Sequence, residues 1–489
     1  MLPRRGRDVG PLRRARAAVA ALVCLAAADA RAEDRAEPEH GSAQDLANES
    51  AERAALPPFM SKKRRMRADD IEDKNEGGYF TGLPLVNSDP DTGFGFGARV
   101  LYFNNGRRDD VKFAYTPYRH RVYAQAFFTT NGLQFHTLDY DGTYVGDTPF
   151  RVRATLLYEK NTAANYFGVG ARSMGRLRFS GDDRSFTKFD EYTEALRAAR
   201  PDGTSYTRYD KYILTRPLGT ATVERDFLGG ILRAQAGVTA SWVGVRTWDR
   251  ETVSADAADG SGDVDARQAS TRLGEDCAVS RVVGCGGGFN NALKLGLALD
   301  TRDLEPNPNS GAFVELTTEL SGRPVGSDFD WVRTTLSGRY FYSPFPKLAD
   351  VVLAARVVGS VQTADTPFFS QNTLSFTDLA RFGLGGRTTL RGFKQDRYVG
   401  RVSTLASFEV RWTFAEIKPL RRQHFAFMLV PFIDAGRVFD SIDDFELARF
   451  RTGQGAGLRI AWNQATVIIA DFGVGREGAG LYINFNHPF

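Results

Sequence analysis

Cysteine, histidine and tryptophan are scarce in this chain of 489 residues, which has 3, 5 and 5 of them. None of the histidines (His40, His120, His136, His424, His487) lies near Cys277 and Cys285, so a metal centre there lacks ligands, and neither metal nor cofactor is expected. Charge of one sign is also lacking. The formal net charge is +4, and no basic field suited to nucleic acid is present. Long apolar runs are absent after the first thirty residues, and mean hydropathy is −0.32, which excludes a helical membrane bundle. It does not exclude a membrane β-barrel, whose inward residues are polar and dilute the average.

What is present is aromatic and glycine-rich: 36 Phe, 17 Tyr and 49 Gly, with no long helical pattern after residue 60. The start reads as an export signal over 1–32. Six arginines between Arg4 and Arg16 precede "AAVAALVCLAAADA" (17–30), too short to span a bilayer as a helix, and the small residues of "ADARA" offer a cleavage point. Cys24 lies in mid-core without a small residue before it and is a bystander. In an oxidising compartment Cys277 and Cys285 are expected to close a small disulfide loop. Residues 33–76, charged and poor in β-branched residues, read as a disordered periplasmic linker, with "SKKRRMR" (61–67) as solvated charge.

From residue 77 apolar and polar residues alternate. In 232–242, Leu232, Ala234, Ala236, Val238, Ala240 and Trp242 oppose Arg233, Gln235, Gly237, Thr239 and Ser241. Leu293, Leu295, Leu297 and Leu299 alternate with Lys294 and Asp300, and Ala406, Phe408, Val410 and Trp412 with Ser407, Glu409 and Arg411. Runs of about nine to eleven residues suit a tilted strand crossing a bilayer, and terminal tryptophans suit an interface girdle. Strands are predicted near 92–104, 119–130, 132–144, 149–160, 163–178, 206–226, 230–247, 290–301, 311–322, 329–343, 350–361, 401–414, 424–437, 452–462, 465–475 and 479–489. The expected fold is all-β, a 16-stranded antiparallel transmembrane barrel over 77–489. Its connections alternate between short ("TNG" near 130, "RDFLGG", "NQ" at 463–464) and long (179–205, 248–289, 362–400).

Chemistry is sparse. "LGGRTTLRGF" (384–393) has glycines and arginines, but its spacing is not that of a phosphate-binding loop. Nucleophile-elbow and zinc-protease motifs are absent, and His136 and Asp139 fall on opposite faces of a strand. Enzyme activity is not expected.

Four stretches resemble the Omp85 superfamily, the BamA/TamA-type barrels related to bacterial surface antigen D15. They are "LDTRDLEPNPNSGAFVEL" (299–316), "LRGF" (390–393), "FIDAG" (432–436) and the closing "GLYINFNHPF" (480–489). The resemblance implies a sixth external loop folded into the lumen. Gly385 and Gly386 would turn that loop, and Arg391, Gly392 and Phe393 would be its plug motif. Phe432, Asp434 and Gly436 would be its partners on the wall, with Asp434 pairing Arg391. It also implies a weakly paired seam between first and last strands, here Gly93, Gly95 and Gly97 facing Gly480 and Phe489. Family assembly members carry periplasmic POTRA domains, which 33–76 is too short to house. An accessory role in outer-membrane protein insertion or translocation is therefore expected of an exported, monomeric outer-membrane barrel, with membrane lipids and client proteins as partners. The alternative is a passive pore or structural, lipid-associated barrel.

Overall fold

A computed structural model describes residues 53–489 except 67, 90–92, 306, 346–349, 378–382, 421–422, 463–465 and 486. The export signal, residues 33–52 of the expected linker and the 463–464 turn lie outside the described residues.

Sixteen long strands form one antiparallel sheet: β1 (Gly78–Asp89), β2 (Gly93–Asn104), β3 (His120–Thr129), β4 (Gln134–Gly142), β5 (Phe150–Asn165), β6 (Lys211–Phe227), β7 (Leu232–Thr247), β8 (Ala292–Asp300), β9 (Gly311–Ser321), β10 (Trp331–Tyr342), β11 (Val351–Gln362), β12 (Val402–Leu420), β13 (Gln423–Phe439), β14 (Arg451–Trp462), β15 (Thr466–Gly475) and β16 (Ala479–Phe485). Each pairs with its neighbours in sequence, from β1–β2 through β15–β16. Among the described residues no pairing joins β1 to β16.

The alternation sorts residues inside out. Val238 and Trp242 of β7 are exposed, while Arg233, Gln235 and Ser241 on the opposite face are buried. On β12 Phe408 and Trp412 face outward and Ser407, Glu409 and Arg411 inward. A soluble sheet buries its apolar face; this one encloses its polar face and presents leucine, valine and aromatics outward.

Two expectations about strands change. The expected strand at 163–178 does not form: 163–165 finish β5, and 166–178 are not a strand of the sheet. β5 ends at Asn165, and Phe167, Leu177 and Phe179 instead enter a separate cluster with Phe186, Tyr192, Leu196 and Tyr209. Conversely Gly78–Asp89 is a strand. Apolar residues on both faces blur its period, and Pro84 lacks an N–H, which an edge strand tolerates. The two differences offset, so 363–401 still follows the eleventh strand and "FIDAG" still lies on the thirteenth. They also move "TNG" to the end that carries the long connections, between β3 and β4.

The connections after β5 and β7 fold together at that end. They contain a helix (Phe189–Arg197), strands Thr252–Asp256 and Asp263–Gln268, and a helix (Arg272–Ala278), with the last strand parallel to Thr204–Ser205. A disulfide joins Cys277 to Cys285. At the opposite end residues 56–76 are not the free linker expected. Leu56 and Met60 are buried with Ala114, Tyr115 and Tyr144. The Lys62 amide donates to Gly229 O, the Met66 amide to Ala114 O, and Arg64 Nη1 to Ser310 Oγ. Residues 61–66 of the basic run thus lie against turns of their own sheet.

Candidate functional site

Residues 383–398 enter the space enclosed by the sheet. Gly385, Gly386 and Gly392 have φ of 120°, 85° and 95°, a left-handed region that favours glycine. Gly392 also lies so close to β15 that a Cβ would stand 2.5 Å from Gly475 N. The turn therefore delivers Arg391 against the wall with no side chain between them.

Arg391 is 1 % exposed. Its Nε donates to Asp434 Oδ2 at 2.8 Å and its Nη2 to Asp434 Oδ1 at 3.0 Å, a bidentate fork that lysine could not reproduce. Its Nη1 reaches Glu409 Oε1 at 2.9 Å and Asp471 Oδ2 at 2.7 Å, and its backbone amide also donates to Asp434. The guanidinium carbon lies 3.4 Å from the Phe432 ring centroid. Period two puts Phe432, Asp434 and Gly436 on the inward face of β13, where Leu384 packs over Gly436.

The structure thus brings Arg391 and Asp434 together and adds partners that sequence reasoning missed. Arg459 donates to both oxygens of Glu409, at 2.8 and 2.7 Å, and to Asp471. Arg411 Nε donates to Glu409 Oε2 at 3.0 Å. Three arginines and three carboxylates therefore balance in one buried network. Its signal on β12 was visible, since Glu409 and Arg411 share the polar face of an alternating strand. Asp471 stands alone in an apolar run and gave none. Burial by itself lowers the Arg391 pKa; Asp434 and Glu409 outweigh it, and the net shift is upward.

Phe393 packs with Leu384, Leu390 and Tyr398 in a cluster reaching Val358, Leu405 and Val438. The Gly392 amide donates to Tyr482 Oη on β16 at 2.9 Å. Arg397, buried in the same loop, forms a bidentate pair with Glu477 in the β15–β16 turn, at 2.7 and 2.8 Å. Further back, the Thr377 amide and hydroxyl donate to Glu315 on β9, and Gln235 on β7 donates to Thr377 O. The loop crosses the enclosed space from β7 to β16.

The expected seam residues lie elsewhere. Gly93, Gly95 and Gly97 are on β2, all paired with β1, and Gly95 and Gly97 also lie opposite Thr129 and Phe127 of β3. Phe127 covers Gly95, where a Cβ would stand 2.4 Å from its ring, so these glycines make room for packing rather than loosen an edge. Gly480 is on β16, opposite Gly473. Phe489 leaves the sheet edge. It is buried with Phe341, Val352 and Ala354, its backbone oxygen accepts from Arg411, and its ring centroid lies 4.6 Å from the Arg356 guanidinium and 5.3 Å from that of Arg411. Of the remaining candidates, His136 stacks on Tyr158 while Asp139 accepts from Arg121 and Thr155. At the β8–β9 turn, within the "LDTRDLEPNPNSGAFVEL" stretch, Asp300 pairs with Arg302, and Asp303 accepts backbone amides of that same turn.

The Omp85 superfamily domain matches residues 158–477, and a domain of unknown function (DUF5982) matches 56–119. The outer membrane protein assembly factor BamA of Nitratidesulfovibrio vulgaris is 26% identical over 161 residues, 30% of this chain and 18% of that protein. The chain therefore matches only a small part of that relative's length. Among solved structures, BamA from Haemophilus ducreyi lacking POTRA domains 1–3 aligns over 84% of this chain and 70% of its own, at 12% identity and a TM-score of 0.46. CdiB from Escherichia coli aligns over 84% and 61%, at 10% identity and a TM-score of 0.45. Since the superfamily match covers more than half of the residues, the chain belongs to the Omp85 superfamily.

Proposed function

We propose that this chain is an outer-membrane barrel of sixteen strands, plugged by its sixth external loop, with an accessory role in inserting or translocating outer-membrane proteins. The one relative named as an outer membrane protein assembly factor suggests the role. The observation that carries it is the unpaired edge between β1 and β16. Phe80 and Val86 on one strand and Leu481 and Ile483 on the other are among the most exposed apolar residues of the molecule. β16 is only 7 residues long because its last residues turn inward to Arg411 and Arg356. An open edge offers unpaired amides and carbonyls on which an incoming strand could add. A lumen crossed by Arg391, Phe393 and Phe489 favours this reading over a passive pore.

The test is a photocrosslinker at Phe80 or Ile483 in the full chain in cells. Capture of newly exported outer-membrane proteins at both positions, and not at the outward Val238 of β7, is the expected result. Crosslinks to lipid alone at all three positions would leave a structural barrel.

A further inference from the structure

The outward face carries an aromatic row at the end with the long connections. Phe96 of β2 stacks on Phe128 of β3, Phe128 meets His136 of β4 at 4.6 Å, and His136 stacks on Tyr158 of β5 at 6.0 Å. On β6 the next position is Pro217, and the row resumes with Trp242 of β7, opposite Phe289. The break is a groove of about 670 Å³ with Pro217, Gly219 and Ala240 as its floor. Tyr158 and Leu156 form one wall, Trp242 and Phe289 the other. A Cβ on Gly244 would stand 2.7 Å from the indole, so Trp242 leans over Gly244 and away from Ala240, leaving the floor open.

Two residue pairs beyond Tyr158 and Pro217, on the same face and toward the long connections, lies Lys160, opposite Thr215, which in turn pairs with Gly244. Arg246 follows two residues further, exposed on the same face. Neither has an ion-pair partner among the described residues. By contrast, Arg216 beside them on the inner face is paired with Glu159, and Arg437, toward the same end of β13, with Glu446. An apolar groove of ligand-site size with two uncompensated cations at one mouth fits an amphiphile with an anionic head.

We propose that this groove holds one acyl chain of a phosphorylated lipid, with Lys160 and Arg246 taking the phosphate. The inference rests on the membrane-barrel reading above. It is tested by native mass spectrometry of the detergent-purified full chain, titrated with phosphatidic acid and with phosphatidylcholine of the same acyl chains. One phosphatidic acid per chain should be retained in preference, and K160Q/R246Q should weaken that retention by about tenfold or more. Gly219→Leu should remove it by filling the groove, and that site tolerates a side chain, since a Cβ meets only Leu156 Cδ2 at 3.5 Å. Equal retention of the two lipids, or no effect of K160Q/R246Q, would overturn the proposal. So would displacement by inorganic phosphate, or a dimer that Gly219→Leu abolishes. A chain that stays soluble without detergent would instead overturn the barrel reading itself.

Discussion

Two connections from opposite ends of the sheet enter its interior, and each is held by a charge of opposite sign. From the long-connection end comes Arg391, among Asp434, Glu409 and Asp471. From the other end, in the β8–β9 turn, comes Glu305, among Arg151 at 2.8 Å, Arg233 at 3.3 Å and Arg302 at 3.8 Å. The chemistry is mirrored but the settings differ. Arg391 is 1 % exposed and its fork is matched by one carboxylate in bidentate geometry, whereas the Glu305 side chain is 23% exposed and shares arginines already bound to Asp141, Glu224 and Asp226. Removing one partner of a buried pair strands the rest, and water at a partly open site softens that loss. The first contact therefore fixes residues 383–398 to the wall more firmly than the second fixes the β8–β9 turn.

The sharpest way to break the comparison is Arg391→Ala, which leaves three carboxylates with two arginines. A loss on the order of 3–5 kcal/mol is expected, read as a lower urea midpoint of the folded, heat-modifiable form and as external protease access to residues 385–398. Asp434→Ala should cost less, because Glu409 and Asp471 still hold the guanidinium. The double substitution restores two cations to two anions and should be milder than Arg391→Ala alone. Arg391→Lys should rescue only in part. Full protection of the loop in Arg391→Ala would show that the network does not hold it.

Glu305→Gln should have the smaller effect, about 1–3 kcal/mol, without exposing residues 385–398. Its pH dependence separates the two sites further. Burial pushes the Glu305 carboxyl up, but Arg151, Arg233 and Arg302 outweigh it and hold it well below the ordinary range. A depressed carboxylate contributes stability that is fully present above its unfolded value of about 4.3 and is lost as pH falls toward the folded value. Wild type should therefore lose this contribution progressively below pH ~4.3, and Glu305→Gln should lack that part of the acid slope. An unchanged slope in the variant would mean that Glu305 is not bound as the structure has it.

The smallest effect is expected outside both networks. Replacing Cys277 and Cys285 by serine opens an 8-residue loop and should cost at most about 2–3 kcal/mol, confined to the folded connections after β5 and β7. The unfolding free energy of the sheet in urea should stay within about 0.5 kcal/mol of wild type, while proteolysis of 248–291 accelerates. A matching loss at residues 385–398 would show that this cap carries the plug.

Much of this was legible in the chain. Strand β7 could be read residue by residue, since its inward arginine, glutamine and serine alternate with outward alanine, valine and tryptophan. "LRGF" and "FIDAG" pointed to Arg391 and Asp434. Glu409 stands on a polar face, but its bond to Arg391 is not legible there, because alternation gives a residue's side of the sheet and not its depth.

By itself, then, the sequence determined that the chain is an inside-out sheet of about sixteen strands, because period-two alternation is a local property that survives without partners. It also determined which residues face inward. Only the tertiary structure decided that Gly78–Asp89 is the first strand and that 166–178 lies beyond the sheet, in a cap. Only it decided that Phe489 turns away from the edge it was expected to close. Pairing is a competition among distant segments. An edge strand such as β1 tolerates a proline that reads as a strand breaker, and a terminal aromatic goes where two arginines and a buried pocket outweigh a few backbone hydrogen bonds.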